Sequence, residues 1–319
     1  MNRIVPVLIW AIFLSSKADA ANPPAGVMGI VDDLGTEVVL SAAPQRIVSL
    51  APSNTELLFA MGLGDRVVGV TKYCNYPPAA EAIEQVAGFS DLSVEKIAAV
   101  RPDLVVASRG NDAEGLETVR QMGVPVFALA NNSIADVIES VRRLGQLTGR
   151  QQAGERLATS LQARIDTVTT RVAPRLLAAQ SDDKRHGRPR VLWGFAGDPI
   201  YTAGAGSIID DVVEVAGGEN LGRQAGEGWP QVSLETVVDW QVDVLLMSLR
   251  LGEGTTAAAI DAELERMRGM DGWRQLPAVK AGHLVHVDGD VLTRAGPRII
   301  DAVELLARAL HPAAFGERR

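Results

Sequence analysis

Ser93–Ser108 reads SVEKIAAVRPDLVVAS, and Ser233–Ser248 reads SLETVVDWQVDVLLMS. At a constant offset of 140 residues, Ser93 meets Ser233, Glu95 meets Glu235, Asp103 meets Asp243 and Ser108 meets Ser248. The apolar pattern agrees as well. Each copy has a serine able to cap, a short helical segment and a continuous apolar run of strand length. A stretch that recurs in this way predicts two lobes of related design.

The surroundings of each copy support that reading. RIVSL (Arg46–Leu50) reads as a buried strand, TELLFAMGL as a helix with Ser53 or Asn54 as its cap and Gly62 as its stop, and VVGV (Val67–Val70) as the next strand. A helix near Ala113–Met122 and the strand VPVFAL follow. Around the second copy, RVLWGF (Arg190–Phe195), DVLLMS (Asp243–Ser248) and HLVHVD (His283–Asp288) read as strands, with helices between them and one at the end. Strand–helix alternation argues for α/β lobes with parallel sheets. The expected limits are residues 30–149 for the N-terminal lobe, 150–178 for a connecting helix and 190–314 for the C-terminal lobe.

The connecting helix is predicted from Ala153, Leu157, Leu161, Ile165, Val168, Val172 and Leu176, which recur every three or four residues and form one apolar stripe. Gln151–Ala173 would be roughly 35 Å long at about 1.5 Å per residue. Pro174 is expected to kink or end it. Such a helix is either an ordinary core element or a rigid strut, and its place between the two copies favours the strut. The polar stretch Gln180–Pro189 reads as a connection.

Charge and the N-terminus exclude several classes. The 319 residues carry a formal net charge of −8. The basic run KRHGRPR (Lys184–Arg190) sits among Gly and Pro and reads as a solvated linker, so nucleic acid is not an expected partner. Arg3, the uncharged apolar run Ile4–Leu14 and the small-x-small motif Ala18–Ala20 read as a signal peptide, residues 1–20, cut near Ala20. The apolar run is too short to span a bilayer. The single cysteine, Cys74, lies far from the expected cut and excludes an intrachain disulfide. A periplasmic, soluble monomer without a lipid anchor is expected.

Enzyme signatures are scarce. The chain has no G-x-S-x-G elbow, no G-x-G-x-x-G after its first strand and no phosphate-binding loop, and GAGS (Gly204–Ser207) puts its serine in the wrong place. A hydrolase on an α/β scaffold, using Ser53 or Ser207, would lack a histidine partner. His283 and His286 fall on opposite faces of a strand, and a metal site with Asp288 and Asp290 is weaker than the reading as ordinary strand residues. No enzyme, cofactor or metal is therefore expected. The aromatics say more. Tyr73, Tyr76, Phe89, Trp193, Phe195, Tyr201 and Trp229 all lie in or just after strand ends in both halves. Ligands of open α/β sheets bind outside the carboxyl ends of strands, and rings there grip a large flat or apolar molecule. The alternative for Trp193 and Phe195 is ordinary core packing.

VDDLGTEVVL (Val31–Leu40), PQRIVSLAPSNTELLFAMG (Pro44–Gly62) and VEKIAAVRPDLVVAS resemble the periplasmic binding proteins of ABC importers for iron–siderophores, haem and cobalamin. The resemblance covers Ile30 to roughly Leu310, with 46–314 as one binding domain. It implies two α/β lobes joined by one long helix, a ligand in the cleft, and a permease dimer in the inner membrane as partner. YCNYPP, IEQVAGF, GWPQVSLE and RAGPRII are similar to the cobalamin-binding branch. That similarity implies that Tyr73 stacks on a corrinoid, and that Phe89 and Trp229 stand at tryptophan positions of the pocket. It also implies that Asp290 and Arg294 line its far side, with Trp193 and Phe195 near a further aromatic position. Ser108 replaces a tryptophan, and Asp290–Arg294 lacks an aromatic centre, so the pocket is less aromatic than that of its relatives.

The same resemblance assigns Glu95 and Glu235 to docking on the permease; the plainer reading is that acids favour helix N-termini. A haem carrier with Tyr73 as axial ligand stays open, as does a siderophore carrier using Arg109, Arg250, Arg294 and Arg298. Cys74 is expected to point away as a packing residue, the alternative being a thiolate on a corrinoid cobalt.

Overall fold

A computed structural model describes residues 28–181, 187–194, 199–248 and 257–316. The expected signal peptide, Phe195, Arg250 and part of the basic linker lie outside the described residues. The chain opens with an antiparallel hairpin, β1 (Met28–Val31) and β2 (Glu37–Leu40). There follow β3 (Ile47–Ser49), α1 (Pro52–Ala60), β4 (Val67–Thr71), β5 (Gln85–Ala87), α2 (Val94–Ala99), β6 (Leu104–Ser108), α3 (Ala113–Gln121), β7 (Val126–Leu129) and α4 (Ile134–Leu147). These strands form a parallel sheet in the order β5-β4-β3-β6-β7. The hairpin docks on its edge: Asp33 N–H donates to the Ala128 carbonyl, and the Asp32 carboxylate accepts from Ala128 N–H.

Helix α5 (Gln151–Ser181) leaves this lobe. Beyond it come β8 (Arg190–Trp193), β9 (Ile200–Tyr201), α6 (Ile208–Val215), β10 (Glu219–Asn220), β11 (Gln231–Val232), α7 (Leu234–Asp239) and β12 (Val244–Met247). The chain continues through α8 (Ala257–Arg268), α9 (Pro277–Ala281), β13 (Leu284–His286), α10 (Gly289–Thr293) and α11 (Ile299–Leu310). The second parallel sheet has the order β10-β8-β12-β13, and β9 pairs with β11 as a separate antiparallel ribbon. The fold is thus α/β, two lobes with parallel sheets and one long helix between them.

The repeat holds at the level of single atoms. Ser93 and Ser233 cap α2 and α7, accepting from Lys96 N–H and Thr236 N–H. Asp103 accepts from the backbone of Gln45 and Arg46, and Asp243 from that of Arg190, so each aspartate ties its strand to the first strand of its own sheet. Arg101 and Gln241, again 140 apart, are the two non-glycine residues with positive φ among the described residues, at 44° and 49°.

Two expectations need correction. Ser53 and Asn54 do not cap α1, because the helix starts earlier, with Pro52 in its first turn and Ala51 at the cap position without a side-chain bond. Proline's fixed φ and missing N–H suit that first turn. The Asn54 amide instead donates to the carbonyls of Val106 and Ala107, 3.3 and 2.9 Å away. Nor does Pro174 end α5, which runs on to Ser181. A helix-interior proline removes one backbone bond. Apolar burial offsets that loss: Val172 is buried just before Pro174, and Leu176 packs on the core just after it.

One apolar core runs through both lobes. It takes in Leu57, Phe127 and Leu144 of the first lobe, Leu161, Val168 and Val172 of α5, and Ile209, Leu246 and Leu306 of the second. α4 and α5 approach so closely that a Cβ on Gly154 would sit 2.9 Å from the Val141 carbonyl, and one on Gly145 would sit 3.0 Å from Gly154 Cα. Only glycine permits such an approach.

Candidate functional site

The carboxyl ends of both sheets face a cleft of about 320 Å³. The N lobe gives it Ser53 at the start of α1, Phe89 after β5, Ser108 at the end of β6, and Asn131 and Asn132 after β7. The C lobe gives it Ser207 ahead of α6, Trp229 ahead of β11, and Thr293 and Arg294 at the end of α10. Strand ends supply these side chains because helices cover the flanks of each sheet and leave that edge open.

Its apolar surface is presented by Phe89 and Trp229, which are 36% and 52% exposed. The Phe89 ring packs where a Cβ on Gly110 would meet it at 2.7 Å, and its carbonyl accepts from Asn111. Trp193 is buried, not lining the cleft, and it backs Trp229 instead. Their ring centroids are 5.4 Å apart at 61°, edge to face. The Trp193 indole N–H donates to Ser248 Oγ at 3.1 Å. The last serine of the second repeat therefore holds the ring that holds the exposed one.

Tyr73 and Tyr76 stand at the rim, each 44% exposed, on the loop after β4. Residues from the other lobe clasp this loop. Arg294 donates to the Asn75 amide oxygen at 2.6 Å and to the Tyr73 carbonyl at 3.3 Å, and pairs with Asp290 at 2.7 Å. Asp290 accepts from the Asn75 amide at 2.9 Å. Arg298 lies over the Tyr76 ring, 3.9 Å from its centroid, and donates twice to Glu56, at 2.6 and 2.9 Å. Burial pushes the Glu56 carboxyl above the usual carboxylate range, against the pull of Arg298 and Arg294 and with Asp290 adding to the push. Burial works against the charge of Arg298, yet Glu56, Tyr76 and Asp290 together hold its guanidinium above the usual range.

Cys74 points inward beneath the same loop. It is buried, with its Sγ 3.2 Å from the hydroxyls of Thr55 and Thr71. Among the described residues no group of three His, Cys, Asp or Glu side chains could hold a metal ion, so His283, His286, Asp288 and Asp290 do not form one.

Of the residues singled out in the sequence, Tyr73, Phe89, Trp229, Asp290 and Arg294 are brought to the cleft or its rim, and Trp193 stands behind it. Glu95 and Glu235 are elsewhere, exposed in the first turns of α2 and α7. Sequence reading missed Glu56, Asn75, Asn131 and Asn132. Glu56 carried a signal, being a charged residue inside the apolar pattern TELLFA. The asparagines carried none beyond their place after strand ends. No helix among the described residues is long and apolar enough to cross a membrane.

The periplasmic binding protein family matches residues 47–291. An uncharacterized ABC transporter substrate-binding lipoprotein of Bacillus subtilis is 30% identical over 293 residues, 90% of this chain and 87% of its own length. A vitamin B12-binding protein of Pectobacterium carotovorum is 28% identical, over 84% of this chain and 89% of its own. The structure of a periplasmic haem-binding protein of Roseiflexus, in its apo form, superposes with a TM-score of 0.68 at 29% identity, covering 85% of this chain and 99% of its own.

Proposed function

From a chain that belongs to the periplasmic binding protein family of ABC importers, we propose capture of cobalamin or a related corrinoid and its delivery to an inner-membrane permease. Residues 46–314 act as one binding domain. Tyr73, Phe89 and Trp229 offer rings to the ligand, Trp193 supports Trp229 from behind, and Asp290 and Arg294 form the far rim. Binding proteins of this family carry small molecules and do no chemistry on them.

The observation that carries the ligand class is the charge of the cleft. Apart from Arg294, its described polar lining is neutral, supplied by Ser53, Ser108, Asn131, Asn132, Ser207 and Thr293. Arg294 is the one cation among its described lining residues, and Asp290, Asn75 and the Tyr73 carbonyl already engage it. Such a lining suits a large ring edged with neutral amides, as a corrinoid is. Carboxylates or catecholates would need cations that are not already partnered. The cleft lies at the lower end of the usual range for ligand sites, so a ligand of this size stands partly out of it. There it meets Tyr73.

Haem is the second reading, favoured by exposed Tyr73 at the rim and the likeness to a haem-binding structure. Titration of the purified protein with cyanocobalamin and, in parallel, hemin separates the two. Saturable cyanocobalamin binding that quenches tryptophan fluorescence and weakens at least about tenfold in Trp229→Ala is expected. A tyrosinate-type haem spectrum with no response to cyanocobalamin would overturn the corrinoid assignment.

Glu95 and Glu235 dock on cationic pockets of the permease. They occupy equivalent repeat positions, both exposed, one on each lobe. Reversing both charges abolishes uptake and leaves ligand affinity intact; a loss of affinity in the purified double variant would remove the assignment.

A further inference from the structure

Beside Glu235 the C lobe carries a groove of about 970 Å³. Its floor is apolar, formed by Val232, Leu234, Val238, Met270 and Trp273, and its rim carries Glu235, Asp239 and Asp271. Of these acids, Asp271 is paired with Arg274 at 2.9 Å. No lysine or arginine is among the described lining residues.

The groove breaks the repeat. One wall is the segment Met270–Gln275, which follows α8 and packs beside α7. In the N lobe only Met122–Pro125 lies between α3 and β7, so nothing corresponds to that wall beside α2. Gly272 allows the wall to come close: its φ is +80°, and a Cβ there would meet the Leu234 side chain at 2.5 Å. Glu95 and Glu235 therefore sit on unlike surfaces, although their own helices match.

Charge decides the occupant. A second copy of this acidic chain and an anionic lipid surface would both be repelled by the rim. An apolar side chain flanked by lysine or arginine fits both floor and rim. We propose that this groove receives an apolar anchor, set between basic residues, from a periplasmic loop of the permease, and that the C lobe thereby makes the stronger of the two docking contacts. The proposal rests on the assignment of Glu95 and Glu235 to docking.

The test is binding of C-terminally dye-labelled protein to spheroplasts of the source bacterium. Met270→Glu and Val238→Glu put a carboxylate on the groove floor, and Ala98→Glu is the matching change in the N lobe. Circular dichroism and the affinities for cyanocobalamin and hemin establish that each variant is folded. The two groove variants are expected to bind spheroplasts about tenfold more weakly or worse, the size of one interface anchor, and Ala98→Glu within threefold of the unmodified protein. Unchanged binding by folded Met270→Glu and Val238→Glu would overturn the proposal, as would an equal loss in all three. A Glu95→Arg/Glu235→Arg protein that still binds fully would instead remove the docking assignment beneath it.

Discussion

Glu56 of the N lobe and Arg298 of the C lobe meet through two hydrogen bonds, 2.6 and 2.9 Å long. Glu56 is almost wholly buried, and the other face of the same guanidinium covers Tyr76. One side chain thus fixes both the inner and the outer layer of contact between the lobes. Removing one partner of a buried pair leaves the other charge stranded, which costs about 3–5 kcal/mol. Arg298→Ala is expected to lose about 3 kcal/mol in urea unfolding, since Arg294 still stands 3.8 Å from Glu56. A loss under about 1 kcal/mol, the value of an exposed pair, would contradict the finding.

The rim depends on geometry as well as charge. Arg294 reaches Asn75, the Tyr73 carbonyl and Asp290 together. Lysine, a point charge without a planar fork, cannot span all three. Arg294→Lys is expected to raise amide hydrogen exchange in Tyr73–Tyr76 while leaving α4 unchanged. Exchange that stays as slow as in the unmodified protein would show that the loop holds itself.

Two carboxyls predict opposite responses to pH. Burial is the main force raising Asp211; its bond from Ile134 N–H pulls the other way, while Asp210 and Asp136 add to the rise. Folded Asp211 holds a proton that the unfolded chain has released, so its contribution to stability falls as pH rises from the ordinary carboxylate range through its folded value. Asp211→Asn is expected to stabilise the protein at pH 7 and to change little at pH 3. Glu304 is lowered, chiefly by its hydrogen bond from Arg164. Its contribution is present above the ordinary range and lost as pH falls, so Glu304→Gln costs stability at pH 7 and not at pH 3. The pair is about one third exposed, so solvent screening keeps the cost to about 1 kcal/mol. Urea midpoints across this range check both signs.

Gly154→Ala would raise helix propensity by about 1 kcal/mol. Its new Cβ would sit 2.9 Å from the Val141 carbonyl, where neither helix backbone can yield. The expected net effect is a loss of about 1–3 kcal/mol, read from urea unfolding. A gain would show that α4 and α5 part freely.

Much of this architecture was legible because it is written twice. The 140-residue offset located two capped helices and two strands, and the structure adds that Arg101 and Gln241 share the same left-handed backbone. Gly at either position should therefore stabilise by up to about 1 kcal/mol, since it adopts that conformation without strain. Two-residue strands such as β9, β10 and β11 gave no signal, since no periodicity fits in two residues. The aromatic half of the cleft was legible because rings at strand ends stand out. The polar half was not: Glu56 finds Arg298 across 242 residues, and Asn75 finds Asp290 across 215. No local pattern encodes pairs so distant, and helix α4, which carries much of the packing on α5, went unread beside its longer neighbour.

The uninterrupted core through α5 has a practical meaning for anyone building a sensor from this chain. Two dyes placed on opposite lobes would hardly change their separation, because the lobes share one packed interior. The informative reporter is instead local and optical: Trp229, half open to solvent and backed by Trp193, is a built-in fluorophore at the mouth, and a coloured ligand settling on it would be its quencher.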